Sequence, residues 1–356
     1  MRGRLRPDDS AAIGLTGTAA AVALLYVFRS ILWPFAFALV LAILIQAFIR
    51  AVMALFPWVN RQVVLVGSSM AMIGLLFAAG VVMMPGLTEL GGEVPLLQQR
   101  LDKLLAESSA RFGLEDPLTV SALIGGIDLR VVASWGLRSV RTMTSGFVLT
   151  GLFLIFLLFT WEMIERRILL AAGRRGRWPT QVLDRSFRGV ESYLWIQTIT
   201  GVMNGGVSAA IMLAVGLEHW LFWSVALFWL SYIPFLGVAV GSIGPALFAL
   251  IQFPTATPSI VIFLGIQAVA FIVGNLITPK MQATTQNIDP CAGLIAVGAW
   301  SIVWGLPGAF LAIPLTLAMM YQFAASKRLR WLAILMSNDG DPFPKASENG
   351  LGRDLT

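Results

Sequence analysis

Long apolar runs separated by short charged segments dominate the chain. Apolar positions continue almost unbroken over 11–28, 31–49, 63–84 and 144–162, then over roughly 192–217 and 258–279. Each run approaches or exceeds the ~20 residues that a helix needs to cross a bilayer core, so each predicts a transmembrane helix. Two further segments, 219–253 and 290–326, are long for one crossing and short for two. Both are interrupted near the middle, at Tyr232-Ile-Pro-Phe-Leu-Gly237 and at Trp304-Gly-Leu-Pro-Gly308. Proline removes a backbone donor and clashes with the preceding turn, and glycine weakens what remains. In hydrocarbon such breaks persist only where protein or a watery cavity covers the freed backbone groups. Paired Gly/Pro-interrupted segments therefore point to a transporter binding site, with ordinary proline kinks in packed spans as the alternative. The expected fold is all-α: a polytopic membrane protein with six clear transmembrane helices plus two Pro/Gly-broken segments, either re-entrant hairpins or discontinuous spans.

Composition agrees with this pattern. The 356 residues are 57% hydrophobic and 12% charged, about half the charge of a soluble domain. The net charge of +6 is not a nucleic-acid footprint, because no basic face is interleaved with stacking aromatics. Instead arginine and lysine flank the apolar runs, at Arg2, Arg4 and Arg6, at Arg50 and Arg61, from Arg166 to Arg188, and from Lys327 to Arg330. That is how cytoplasmic loops of membrane proteins are marked. It places both termini in the cytoplasm of a multi-pass inner-membrane protein and predicts that the N-terminal run is an uncleaved first span. The first connection, around Arg29 to Trp33, is then a tight outer turn, and Trp161 and Trp178 flank an inner loop. Cys291 is the only cysteine, so no internal disulfide is expected.

Four regions follow from this layout: a three-span unit over 1–85, an extracytoplasmic insert over 86–143, a transport core over 144–326 and a cytoplasmic polar tail over 327–356. Within the insert, Leu97, Leu101, Leu104 and Leu105 share one helical face with charges opposite. Such a helix either lies on the membrane or packs against a partner subunit.

Candidate chemistry concentrates in the charge-poor half, where only Lys280 and Asp289 are charged between His219 and Ser326. Gln197, Gly201, Asn204 and Ser208 recur at helical spacing, which puts them on one face of the fifth span. A polar, small-residue stripe in lipid packs against another helix, lines a cavity, or does both. Gln267, Gly274 and Thr278 form a weaker stripe on the next span, with Asn275 beside it. No enzyme site is expected: the single histidine, His219, rules out a histidine-based metal cluster, and no phosphate loop or nucleophile elbow occurs. The sequence calls for no cofactor.

Four motifs then stand in order: Tyr193-Leu-Trp-Ile-Gln197, Tyr232-Ile-Pro-Phe-Leu-Gly237, Asn275-Leu-Ile-Thr-Pro-Lys280 and the run from Trp304 to Thr316. Together they resemble the autoinducer-2 exporter, or PerM-like, family from about residue 10 to 326. That resemblance implies a bacterial inner-membrane transporter of small molecules, assembled into homo-oligomers such as pentamers. At Ile288-Asp-Pro290 this chain carries aspartate where the family often has histidine or another polar residue.

The expected function is outward transport of a small polar, uncharged or weakly anionic solute, because a polyol-like cargo needs amides and backbone groups, not buried charge. The expected pathway residues are Gln197, Asn204, Ser208, Tyr232, Pro234, Gly237, Asn275, Pro279, Lys280, Asp289, Pro290, Gly305, Pro307, Gly308 and Pro314. Two other readings stay open. A sodium (cation)/proton antiporter would need a titratable carboxylate in the membrane, for which Asp289 is the candidate. A channel-like or scaffold oligomer would need no coupled transport.

Overall fold

The computed structural model describes residues 7–111, 129–172, 177–233, 237–282 and 287–342. Every regular element among them is helical: α1 (Pro7–Val27), α2 (Arg29–Leu55), α3 (Arg61–Arg111), α4 (Leu129–Ala172), α5 (Arg177–Val215), α6 (Trp220–Leu230), α7 (Gly237–Gly241), α8 (Ile243–Gln252), α9 (Thr257–Ile272), a π-helical segment (Val273–Ile277), α10 (Thr278–Gln282), α11 (Pro290–Trp304), α12 (Leu306–Ala325) and α13 (Arg330–Met336). The chain is an all-α polytopic membrane protein. Six helices are long and apolar enough to cross a bilayer: Arg29–Leu55, Arg61–Met83, Gly146–Ile164, Val182–Val215, Thr257–Met281 and Leu306–Ala325. Five of them coincide with runs that the sequence predicts as spans. The sixth is the second arm of the broken segment 290–326, and the first apolar run forms α1.

The connection between α1 and α2 is tighter than the expected Arg29–Trp33 turn. Only Phe28 separates them, and the Arg29 guanidinium lies 4.5 Å from the centre of the Tyr26 ring. Cations over aromatic rings of this kind are suited to the membrane surface.

The insert is no separate helix lying across the membrane in its described part. α3 runs 51 residues, roughly 77 Å at the usual rise per residue, more than twice the thickness of the hydrocarbon core. α4 has 44 residues and likewise overshoots its apolar part. Both spans therefore project past the membrane on the same side. There the Arg100 guanidinium donates to the carbonyls of Phe253 and Pro254, at 3.0 and 2.8 Å.

α12 forms the centre. Two-thirds of its most apolar stretch is buried by protein, and its residues Phe310 and Leu311 pack into one apolar cluster with Trp33, Leu41 and Leu154 of α2 and α4. Its other face joins Ile43, Tyr193 and Leu194 through Ile313, Leu317 and Tyr321.

Both broken segments turn back. For the first, the Gln252 side chain donates to the Gly216 carbonyl and accepts from the Glu218 amide, each at 2.8 Å. The two ends of 217–252 therefore meet on the side that carries Arg100. For the second, the Asp289 amide donates to the Met336 carbonyl at 2.9 Å, so α11 begins beside the segment that follows α12. Each is a helical hairpin, and the two enter from opposite sides. On the side of the second hairpin, Arg50 pairs with Glu191 and Arg61 with Glu162. The basic connections and the mouth of the second hairpin thus share one face.

Candidate functional site

α6 ends at Leu230 partway through the membrane, its last turn closed by the Ser231, Tyr232 and Ile233 amides, which donate to the Leu227, Trp229 and Leu230 carbonyls. The Ser231 and Tyr232 carbonyls just past the helix are met by α5. Gln197 Nε2 donates to the Ser231 carbonyl, and the Tyr193 hydroxyl donates to the Tyr232 carbonyl at 2.9 Å. The Thr198 hydroxyl is spent on the Leu194 carbonyl at 2.7 Å, so the Tyr232 hydroxyl donates to Thr198 Oγ1 at 2.8 Å. Asn204 Nδ2 reaches Ser231 Oγ at 3.4 Å, while that hydroxyl donates to the Leu227 carbonyl. The stripe on the fifth span is thus the cradle of the first hairpin's tip. Gly201 and Gly205 let the helices touch: a Cβ on Gly205 would lie 2.9 Å from the Ser224 carbonyl. A side chain on Gly237 would overlap the Leu230 carbonyl in the same way.

The opposite wall is α9 and its π-helical continuation. Pro279 has no N–H to give the preceding turns, and the ladder widens before it. The amide of Asn275 donates to the Phe271 carbonyl at 3.0 Å, and the Thr278 hydroxyl to the Val273 carbonyl at 2.8 Å. Side chains thus add hydrogen bonds to carbonyls along the widened stretch, Val273 accepting from the Thr278 backbone amide as well as from its hydroxyl. Short π segments often mark functional sites.

Between these walls lies a cavity of 690 Å³, within the range of small-molecule sites. Of the residues expected on the pathway, Gln197, Asn204 and Gly237 line its deep part. Asn275, Pro279, Asp289 and Pro290 line it as well, the last two at the second hairpin's mouth. Gln267, Gly274 and Thr278, the weaker stripe, also face it. Asp289 is the one charged residue among the described residues that line it. Its carboxylate caps α11, accepting from the Ala292 amide at 3.0 Å, with Pro290 in the first turn where a missing donor costs nothing.

The remaining expected residues lie elsewhere. Ser208 is fully buried one turn beyond Asn204 and outside the cavity lining. Tyr232 acts through its carbonyl and hydroxyl, and Lys280 is exposed. Gly305, Pro307, Gly308 and Pro314 belong to the second hairpin's turn and to α12 and are not in the cavity lining, which α12 reaches through Ile313. Pro234 falls outside the described residues. Tyr193, Thr200 and Ser231 line the cavity without having been singled out from the sequence.

Past the cavity's deep end the membrane is sealed. Met212, Leu217, Leu227, Phe248, Ile262 and Ile266 form a buried apolar cluster where α5, α6, α8 and α9 meet. Met212 is two turns beyond Asn204, roughly 12 Å along α5. The cavity is therefore a vestibule, continuous toward the face with the basic connections and closed toward the face with Arg100.

Comparisons with known proteins agree with this architecture. The pattern of the AI-2E family transporter matches residues 15–327. The PerM protein of Escherichia coli (strain K12) is 27% identical over 352 residues, covering 88% of this chain and 92% of its own. The AI-2 transport protein TqsA of the same organism is 22% identical over 156 residues, 44% of this chain and 45% of its own. A transport-type protein of Haemophilus influenzae is 26% identical over 159 residues, 45% of each chain. With TqsA and the Haemophilus protein, the match spans less than half of the relative's length.

Proposed function

Because the chain belongs to the AI-2E transporter family, we propose that its vestibule loads a small, neutral, polyhydroxylated solute from the cytoplasm and releases it outside. One observation carries this reading: a 690 Å³ cavity whose depth offers amides, hydroxyls and backbone groups and whose only charged lining residue, among the described residues, is Asp289 at the mouth. A neutral polar solute finds hydrogen bonds there without a charge having to be buried. An anion would find no cationic partner among the described lining residues, which favours uncharged solutes. The autoinducer-2 in the name of TqsA fits that class in size and polarity. Loading from the cytoplasm follows if the basic connections face it, and release requires the apolar seal to open while the mouth closes.

The test is flux of labelled autoinducer-2 in proteoliposomes holding the full-length chain. Concentration-dependent, saturable movement is expected, insensitive to a tenfold excess of a carboxylate of similar size. Flux equal to that of empty liposomes would refute the assignment.

A second reading has one observation in its favour, that Asp289 is the sole carboxylate among the described lining residues. Cation/proton exchange would make it the titrating group. Our expectation is that Asp289→Asn keeps solute flux within about threefold of wild type, since an asparagine oxygen can still cap α11. Sodium-driven proton movement seen with a pH-sensitive dye, and lost in Asp289→Asn, would favour exchange instead.

Orientation has its own check. Ser109, on the projecting part of α3, is 2% exposed and would hide a label, whereas Lys103 is exposed. In a Cys291→Ser background, Lys103→Cys should react with an impermeant maleimide added to spheroplasts. Reaction only after the cells are opened would invert the direction proposed for transport.

A further inference from the structure

We propose that Asn204 is a deep recognition group of the vestibule, its Oδ1 accepting a hydrogen bond from one solute hydroxyl at the hairpin tip. This inference rests on the reading that the cavity holds a neutral polyhydroxylated solute. Asn204 is 6% exposed and lines the cavity. Its hydrogen-bonding capacity can be assigned group by group. Nδ2 is directed at Ser231 Oγ, whose own proton goes to the Leu227 carbonyl, and the Ser231 carbonyl is taken by Gln197. What is left is Oδ1, a buried acceptor with no donor among the described residues.

A buried acceptor without a donor is disfavoured at a purely structural position, and the cavity wall is where a solute can supply the donor. The chemistry of that donor follows from the surroundings. An ammonium at this depth would lack a counter-charge, because the only carboxylate among the described lining residues sits at the mouth, capping α11. A carboxylate or phosphate would set anionic oxygen against an acceptor with no cation among those residues. A neutral hydroxyl satisfies Oδ1 without either penalty. The same amide holds Ser231, so an occupied site and the position of the hairpin tip are joined through one side chain. The apolar seal begins directly past it, at Leu227. Recognition thus takes place close to the closed gate, at a depth that Gln267 of the opposite wall shares and one turn short of buried Ser208.

The experiment is a cycle between residue and ligand. Full-length protein is reconstituted as wild type and as Asn204→Leu, and the kcat/KM for flux is measured with autoinducer-2 and with analogues each lacking one hydroxyl. In wild type, one analogue should lose about tenfold to a hundredfold, as expected when a buried hydrogen bond loses its donor. In Asn204→Leu the parent should fall by a similar factor and that analogue no further. Melting in detergent should hold or rise, because the unpartnered Oδ1 is removed and only the long 3.4 Å contact to Ser231 Oγ is lost with it. Equal penalties for every missing hydroxyl in both proteins would overturn the subsite while leaving the proposed function standing. No wild-type flux of autoinducer-2 would overturn the proposed function, and the subsite with it. If Asn204→Leu gives no folded protein, Asn204→Ala carries the same cycle.

Discussion

Gln197→Leu is expected to reduce flux per folded molecule by more than tenfold and to lower the melting temperature in detergent. The side chain is 7% exposed, and its amide donates to the Ser231 carbonyl at the point where α6 stops. Leucine fills about the same volume but gives no donor, so the carbonyl stays buried and unpaired. Leaving such a group unsatisfied costs about 1–3 kcal/mol. That is more than the ~0.6 kcal/mol average of interhelical hydrogen bonds in a bilayer, because here the released acceptor belongs to a broken helix and has no other partner among the described residues. The functional loss should exceed the stability loss. Ser231 also receives Asn204, and neighbouring Tyr232 receives Tyr193, so a displaced tip disturbs both contacts at once. Tyr193→Phe should act in the same direction and more weakly, since Thr198 still holds the Tyr232 hydroxyl. Flux normalised to monodisperse protein, read beside the melting curve, checks both. Unimpaired flux in a folded Gln197→Leu protein would show that the hairpin tip does not govern transport.

The helices were legible in the sequence because lipid imposes a one-dimensional constraint: an apolar run of sufficient length crosses. Whether 219–253 and 290–326 cross or return was not legible. That depends on which side their ends occupy, and the ends are tied by contacts between residues far apart or without periodicity. Gln252 bridges to Gly216 and Glu218, and the Asp289 amide reaches Met336. The Gln197–Asn204 stripe could be read because helical spacing repeats every turn. Ser208 shares that spacing but sits past the vestibule, since the cavity ends before the helix does. Neither Ser231 nor Tyr193 stands out as a pathway residue, although Tyr193 opens the first motif, because they act on a helix break through a carbonyl and a hydroxyl, a pairing that no local pattern records. The role of Asp289 as a helix cap was present in the Asp-Pro pair, a known start signal for a helix. Its position in a charge-poor half drew attention to titration instead.

The second break illustrates a different cause from the first, and substitution there should separate the two residues that could produce it. Gly305 ends α11 and starts α12, with φ 68° and ψ −144°, a region essentially closed to other residues. Its amide donates to the Ser301 carbonyl at 2.8 Å, and its carbonyl accepts from the Ala309 amide at 3.2 Å. One residue therefore closes one helix and opens the next. The arms then pack closely because Gly308 carries no side chain: a Cβ there would lie 3.1 Å from the Trp304 Cβ and overlap the Trp300 carbonyl. Pro307 contributes little to the reversal. It stands in the first turn of α12, where its absent donor would be unpaired in any case. Gly305→Val should cost about 1–3 kcal/mol in backbone strain alone, at the upper end because valine is branched at Cβ. It should also unseat Trp304, whose indole donates to the Leu25 carbonyl of α1 at 3.1 Å. A sharp fall in monodisperse yield is expected for Gly305→Val, and near wild-type yield for Pro307→Ala. Fluorescence-detected size-exclusion chromatography of the two variants side by side decides the matter. The reverse order of yields would make proline, and not the glycine backbone, the origin of the turn.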